Sequence, residues 1–138
     1  MDRASRSGEL LHHLVEAVVE HQPECAALVC GRTIMSYGEF DHRANVLARE
    51  LLKLGAHPDS RVAIAIERSL ELAISAFAVL KSGAAFVPVD PEWPTERQTE
   101  VIADSGAIAC LVRGGGEGTT ADEIAASSAI PFLQVDAM

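Results

Sequence analysis

The sequence predicts an α/β protein, a mostly parallel sheet with flanking helices, and three observations carry that prediction. From residue 61 onward, apolar runs of five or six residues recur as RVAIAI, AAFVPV and AIACLV. These runs are continuous rather than alternating, which suits strands buried on both faces of a parallel sheet. Between them lie segments of helix length whose apolar residues recur three and four positions apart. Strand, helix, strand, helix, strand is the resulting order.

The elements follow from the N-terminus. Residues 8 to 22 place Leu10, Leu11, Leu14, Val15, Val18 and Val19 at helical spacing, with Ser7 as a cap and Pro23 just past the end. Ala26 to Val29 and Thr33 to Met35 read as two short strands around a turn at Gly31 and Arg32. Ser36 and Glu39 form a capping box: the hydroxyl accepts from the N3 amide and the carboxylate reaches back to the cap amide. The helix they start carries Phe40, Ala44, Leu47, Ala48 and Leu51 on one face. It stops at Gly55, where positive φ costs little, with Pro58 soon after.

The strand RVAIAI leads to a helix over Ser69 to Ser82, with Leu70, Ile74, Phe77 and Leu80 inward and Gly83 as its stop. The next stretch, LKSGAAFVPVDPEWPTER, encodes geometry. Ala84 and Ala85 permit close helix-to-strand contact, Pro88 removes a ladder donor and so suits a strand edge or end, and Asp90 with Pro91 turns the chain. Arg97 is expected to reach back to Asp90 and lock that turn. A helix over Pro94 to Ser105 follows, with Val101 and Ile102 inward and Gly106 as stop. After the strand AIACLV come the low-complexity stretch GGGEGTT, a weak helix ADEIAASS and a last strand-like run, IPFLQV.

Composition narrows the function. A length of 138 residues with 49% hydrophobic and 22% charged residues fits one ordinary globular domain rather than a disordered or fibrous chain. The formal charge of -9 has the wrong sign for nucleic acid or an anionic membrane surface, so neither is expected as a partner. Cys25, Cys30 and Cys110 have no zinc-site spacing and read as three reduced thiols. No signal peptide precedes them, and no uncharged run approaches the roughly twenty residues that span a bilayer, so the expected location is cytoplasmic.

Several residues invite a catalytic reading. The loop Gly114 to Thr120 could in principle turn backbone amides toward an anion, but a P-loop needs a lysine, and no lysine follows Lys81. A flexible surface loop is the expectation. His12, His13, His21, His42 and His57 show no metal-binding spacing and read as solvated helix-side residues. No GxSxG or other nucleophile motif occurs. The charges at strand ends, Glu67, Arg68, Asp90 and Arg113, stand where open parallel sheets bind ligands, yet capping and local ion pairs account for them.

The motifs MSYGEF, from Met35, and LKSGAAFVPVDP, from Leu80, resemble the first and second core motifs of adenylation domains of nonribosomal peptide synthetases. The resemblance extends from about Glu9 to the C-terminus and is weakest after Arg113. The form VPVDPEWPTER is more similar to amino-acid-activating domains than to acyl-CoA ligases or luciferases. The resemblance implies the first part of the large N-terminal subdomain of adenylate-forming enzymes, with 1-8 as a tail and 9-138 as a partial domain that stops before the ATP phosphate-binding loop.

For the complete family domain the resemblance implies ATP and Mg²⁺ as cofactors. The activity is formation of an aminoacyl adenylate and its transfer to a carrier-protein thiol. The two motifs present belong to the structural frame, so no catalytic, cofactor-binding or metal residue is assigned, and the chain alone is expected to be inactive. The implied partners are the remainder of the adenylation domain or a peptidyl carrier protein. The alternative is a non-catalytic interaction module that docks onto a synthetase or carrier, and an incomplete reading frame without function is a third reading. In each, a frame cut mid-fold leaves a sheet edge and apolar surface uncovered.

Overall fold

A computed structural model of the chain describes residues 24, 26–30, 33–113 and 129–135. The expected first helix, the GGGEGTT loop and the ADEIAASS helix lie outside the described residues. β1 (Ala26–Cys30) and β2 (Thr33–Ser36) form the expected antiparallel hairpin. Ser36 ends β2 and also caps α1 (Tyr37–Lys53), its Oγ accepting from the Glu39 amide at 3.2 Å. Only this half of the expected capping box forms; among the described residues the exposed Glu39 carboxylate makes no bond back to the cap.

The far end of α1 closes as its glycine predicts. Gly55 adopts φ 96°, the Ala56 amide donates to the Leu51 carbonyl and the Gly55 amide to that of Leu52. This is a Schellman closure, and the buried Ala56 and Leu51 supply its apolar contact.

The second sheet has the order β4-β3-β5-β6 and is parallel throughout, built from β3 (Arg61–Ala65), β4 (Ala85–Pro88), β5 (Ala109–Val112) and β6 (Phe132–Gln134). Two helices connect its first three strands, α2 (Leu70–Lys81), capped by the Ser69 hydroxyl, and α3 (Thr95–Ser105). Pro94 is the residue before α3 rather than its first turn; its carbonyl accepts from the Gln98 amide and begins the helical ladder.

Successive residues of β3 serve opposite sides of the sheet. Val62, Ile64 and Ile66 join Leu111 in a core with Leu47, Leu51, Ile74 and Phe77 from α1 and α2. Ala63 and Ala65 join Cys110 and Val112 in a second core with Ile102 of α3. Large side chains thus face the two-helix layer and small ones face α3. The central strands β3 and β5 are buried on both faces, as continuous apolar runs predict. The run AAFVPV departs from that prediction. β4 is an exposed edge, with Phe86 41% accessible, because no described strand pairs with its second side.

Helices α1 and α2 meet around a charged pair. Lys81 Nζ lies 2.6 Å from Asp41 Oδ1, with side-chain exposures of only 5% and 18%. The ammonium also sits 5.0 Å from the centre of the Phe77 ring, which stacks on Phe40 at 4.8 Å. Asp41 Oδ2 accepts a hydrogen bond from Asn45 Nδ2. Out of water, such a pair adds little net stability but makes either partner costly to remove.

Lys81→Met is therefore expected to lower the unfolding free energy by about 3 kcal/mol, with Asp41→Asn restoring much of the loss in the double variant. Urea titration reads both. A single variant as stable as the parent would remove the pair from the account of how these helices join.

Candidate functional site

The carboxyl ends of β3 and β4 open onto a cleft of about 370 Å³. Its apolar lining includes Ile64, Ile66, Leu72, Phe86, Val89 and Trp93, and Glu67, Arg68 and Asp90 supply charge. Its position beyond strand ends is where parallel sheets commonly take ligands, and its volume lies in the range of small-molecule sites.

The wall formed by residues 90 to 93 is built from local bonds. Asp90 Oδ1 accepts from the Glu92 amide at 2.9 Å, and the Asp90 carbonyl accepts from the Trp93 amide at 3.1 Å. Gln98 then pins the turn from behind. Its side chain is 1% exposed, and Nε2 donates to the carbonyls of Pro91 at 3.1 Å and Trp93 at 2.8 Å. A buried amide whose two N–H groups both find carbonyls is satisfied, and it ties α3 to the cleft wall. Sequence reasoning placed Val101 and Ile102 inward and missed Gln98. The available signal was a glutamine on the first turn of a helix that follows a proline-rich bend.

The expected lock between Arg97 and Asp90 does not form. The Arg97 guanidinium carbon instead lies 4.9 Å from the centre of the Trp93 ring. The physical reason is the turn itself. Asp90 turns its carboxylate toward a backbone amide, and the helix start brings Arg97 alongside the residue four positions before it.

Of the other strand-end charges, Arg113 and Glu67 pair locally, as expected. Arg113 beyond β5 lies 3.7 Å from Glu67 and 3.4 Å from Glu71. Arg68 is exposed on the cleft rim. The cleft does not suit nucleotide phosphates: its apolar lining offers them few donors, and Glu67 and Asp90 would repel them. His42 is exposed on α1, and exposed His57 accepts from the Asp59 amide at Nδ1. His12, His13, His21 and Cys25 lie outside the described residues, and among those described no group of ligands is arranged for a metal ion.

Cys110 lies in the sheet core, 0% exposed, and burial pushes its thiol up to about 12 against a weaker opposing backbone hydrogen bond from Ala65. A neutral, enclosed thiol is neither nucleophile nor metal ligand.

Comparison with known proteins extends this geometry. The family described as AMP-binding enzyme matches residues 15–137. Bacitracin synthase 3 of Bacillus licheniformis is 45% identical over 106 residues, which is 77% of this chain and 2% of that protein. Malpinin synthetase of Mortierella alpina is 42% identical over 106 residues, 77% of this chain and 1% of that protein. The chain thus spans only a few per cent of the length of these relatives.

Among solved structures, the N-terminal subdomain of Klebsiella oxytoca NpsA, in complex with 3-hydroxybenzoyl-AMSN, is 26% identical. Its TM-score is 0.72, with 92% of this chain and 30% of that one covered. The nonribosomal peptide synthetase FmoA3, in an α-methyl-L-serine-AMP-bound form, shares the fold with a TM-score of 0.84 at 23% identity, covering 93% of this chain and 14% of that one.

Two measurements check the cleft wall and the core thiol. In a double-mutant cycle, Arg97→Ala and Asp90→Ala are expected to add without coupling, and Arg97→Ala alone to cost about 0.5–1 kcal/mol and shift the fluorescence of Trp93, the single tryptophan. Strong coupling would restore the Arg97–Asp90 lock. Cys110 should resist Ellman's reagent at pH 8 and react on unfolding. Because its folded value is raised from 9.0 to about 12, stability falls as pH rises between those values, and Cys110→Ala should remove that part of the slope. Rapid labelling of the native Cys110 thiol would contradict its burial.

Proposed function

The chain belongs to the AMP-binding enzyme family, and from that membership we propose that it is the N-terminal portion of an amino-acid-activating adenylation domain in nonribosomal peptide synthesis. Residues 1-8 are a tail and 9-138 the partial domain. The observation that carries this reading is one unbroken correspondence. Sequence motifs, a family match over residues 15–137 and a fold shared with a nonribosomal peptide synthetase over 93% of the chain all fall on the same segment.

In the complete domain, the amino acid carboxylate attacks the α-phosphate of ATP to give aminoacyl adenylate and pyrophosphate. A carrier-protein thiol then attacks the acyl carbon and AMP leaves. A Mg²⁺ ion bound in the complete domain would supply positive charge to offset that of the phosphates. The residues described here frame that chemistry and do not perform it. We assign none of them a catalytic, cofactor-binding or metal role, and read the enzyme as cytoplasmic. Solved relatives in complex with 3-hydroxybenzoyl-AMSN and with α-methyl-L-serine-AMP support this choice of substrate, and an artificially fused adenylation–PCP di-domain supports this choice of partner.

Pyrophosphate exchange tests the proposal. The chain alone is expected to stay at background with every common amino acid. Grafted in place of the matching segment of the bacitracin synthase 3 adenylation domain, it should support exchange. A folded graft that remains silent would defeat the reading and favour a non-catalytic docking module.

A further inference from the structure

We propose that the two charged residues of α2, Glu71 and Lys81, set the rotation and axial position of a helix whose apolar surface does not set them. Their ion pairs act as a conformational lock that places β4, rather than as a source of stability.

An amphipathic stripe ordinarily decides which side of a helix is buried. α2 lacks a clear one, because nine of the twelve residues in LELAISAFAVLK are apolar. Ile74, Phe77, Ala78 and Val79 are buried, while Leu72 and Ala76 pack only partly against the core. Turning the helix by one residue, about 100°, would exchange apolar side chains for apolar ones. The buried faces of α1 and α2 also carry small residues, Ala44 and Ala48 on one and Ala78 on the other, which give little relief against sliding. The stack of Phe40 on Phe77 opposes a turn, but its rings lie within 12° of parallel and tolerate a lateral offset.

The charges have no such freedom. The Glu71 side chain, 14% exposed, lies 3.4 Å from Arg113 just past β5, and Lys81, 5% exposed, lies 2.6 Å from Asp41 on α1. Ten positions apart in the helix, the two project roughly 80° from each other around its axis. One points to the end of the sheet and the other to α1. Two fixed directions at opposite ends of one helix determine both its rotation and its translation, since any other setting strands a poorly hydrated charge. The pair on α1 is not arranged for strength. Lys81 is near enough to Asp41 Oδ1 to donate, yet that buried oxygen accepts no hydrogen bond among the described residues. Coulomb attraction without a full set of hydrogen bonds does little more than offset desolvation. What the lock places is the edge strand: Ser82, Gly83 and Ala84 alone separate Lys81 from Ala85, so the end of α2 carries β4 with it.

Replacing the pair by Asp41→Leu together with Lys81→Met separates a lock from a stabiliser. In the chain alone, the urea midpoint of the double variant is expected to equal or exceed the parent's. Amide hydrogen exchange in α2 and β4, read by NMR under native conditions, is expected to quicken at least about tenfold. Parent-like exchange in those amides overturns the proposal, because the helix would then keep its setting without the charges. A folded double variant with a midpoint well below the parent's also overturns it, making the pair a plain stabilising contact. If the double variant does not fold, Glu71→Gln decides: it keeps the size of the side chain, breaks the second pin and leaves Arg113 its contact with Glu67. Exchange in the same amides should again quicken at least about tenfold with the midpoint unchanged, and unaltered exchange overturns the proposal. Every readout uses the chain alone, so none depends on adenylation activity.

Discussion

The structure depends on one constraint: β3 is buried on both faces, so its backbone must be paired on both edges. Val62 and Ala63 are fully inaccessible and Ile64 nearly so. No water reaches this backbone to satisfy it, so β4 and β5 must lie on either side in parallel register. Parallel neighbours in turn require crossover connections, which α2 and α3 provide. The apolar content of five residues therefore dictates the topology of a much longer stretch.

Side-chain size along the same strand then sorts the helices. Val62, Ile64 and Ile66 form the broad floor under α1 and α2, while Ala63 and Ala65 leave room for α3 to approach closely. The broad side is large enough to bury the Lys81–Asp41 pair beside the stacked rings of Phe40 and Phe77. The narrow side is anchored differently. Gln98 holds the 91–93 turn by its amide, so α3 is fixed to the end of β4 by polar bonds as well as by apolar contact.

These features give the segment the properties of a frame. Some of its charged groups pair with one another, as Arg113 does with Glu67 and Glu71, and its sheet-core thiol is neutral and enclosed. No helix among the described residues is long and apolar enough to cross a membrane. What the frame leaves unspent is the apolar cleft at the β4 edge. Its geometry is set by the same turn that Asp90 and Gln98 stabilise, so the bonds that finish this fold also shape the surface it offers.

Local chemistry was legible in the sequence. Ser36, Ser69, Gly55 and Gly106 mark helix ends because caps and positive φ depend on residues adjacent in the chain, and the apolar runs identify β3 and β5 because burial on both faces leaves a continuous pattern. The motifs at Met35 and Leu80 identified the family for the same reason, being contiguous. Pro88, which lacks a ladder donor, already suited AAFVPV to a strand edge or end; tertiary structure alone decided that β4 takes the sheet edge and leaves Phe86 exposed there. It also decided that Arg97 rests on Trp93 rather than Asp90, and that Gln98 turns inward. Those choices depend on which backbone groups compete for the same side chain once the turn has closed, a geometry that sequence spacing does not contain.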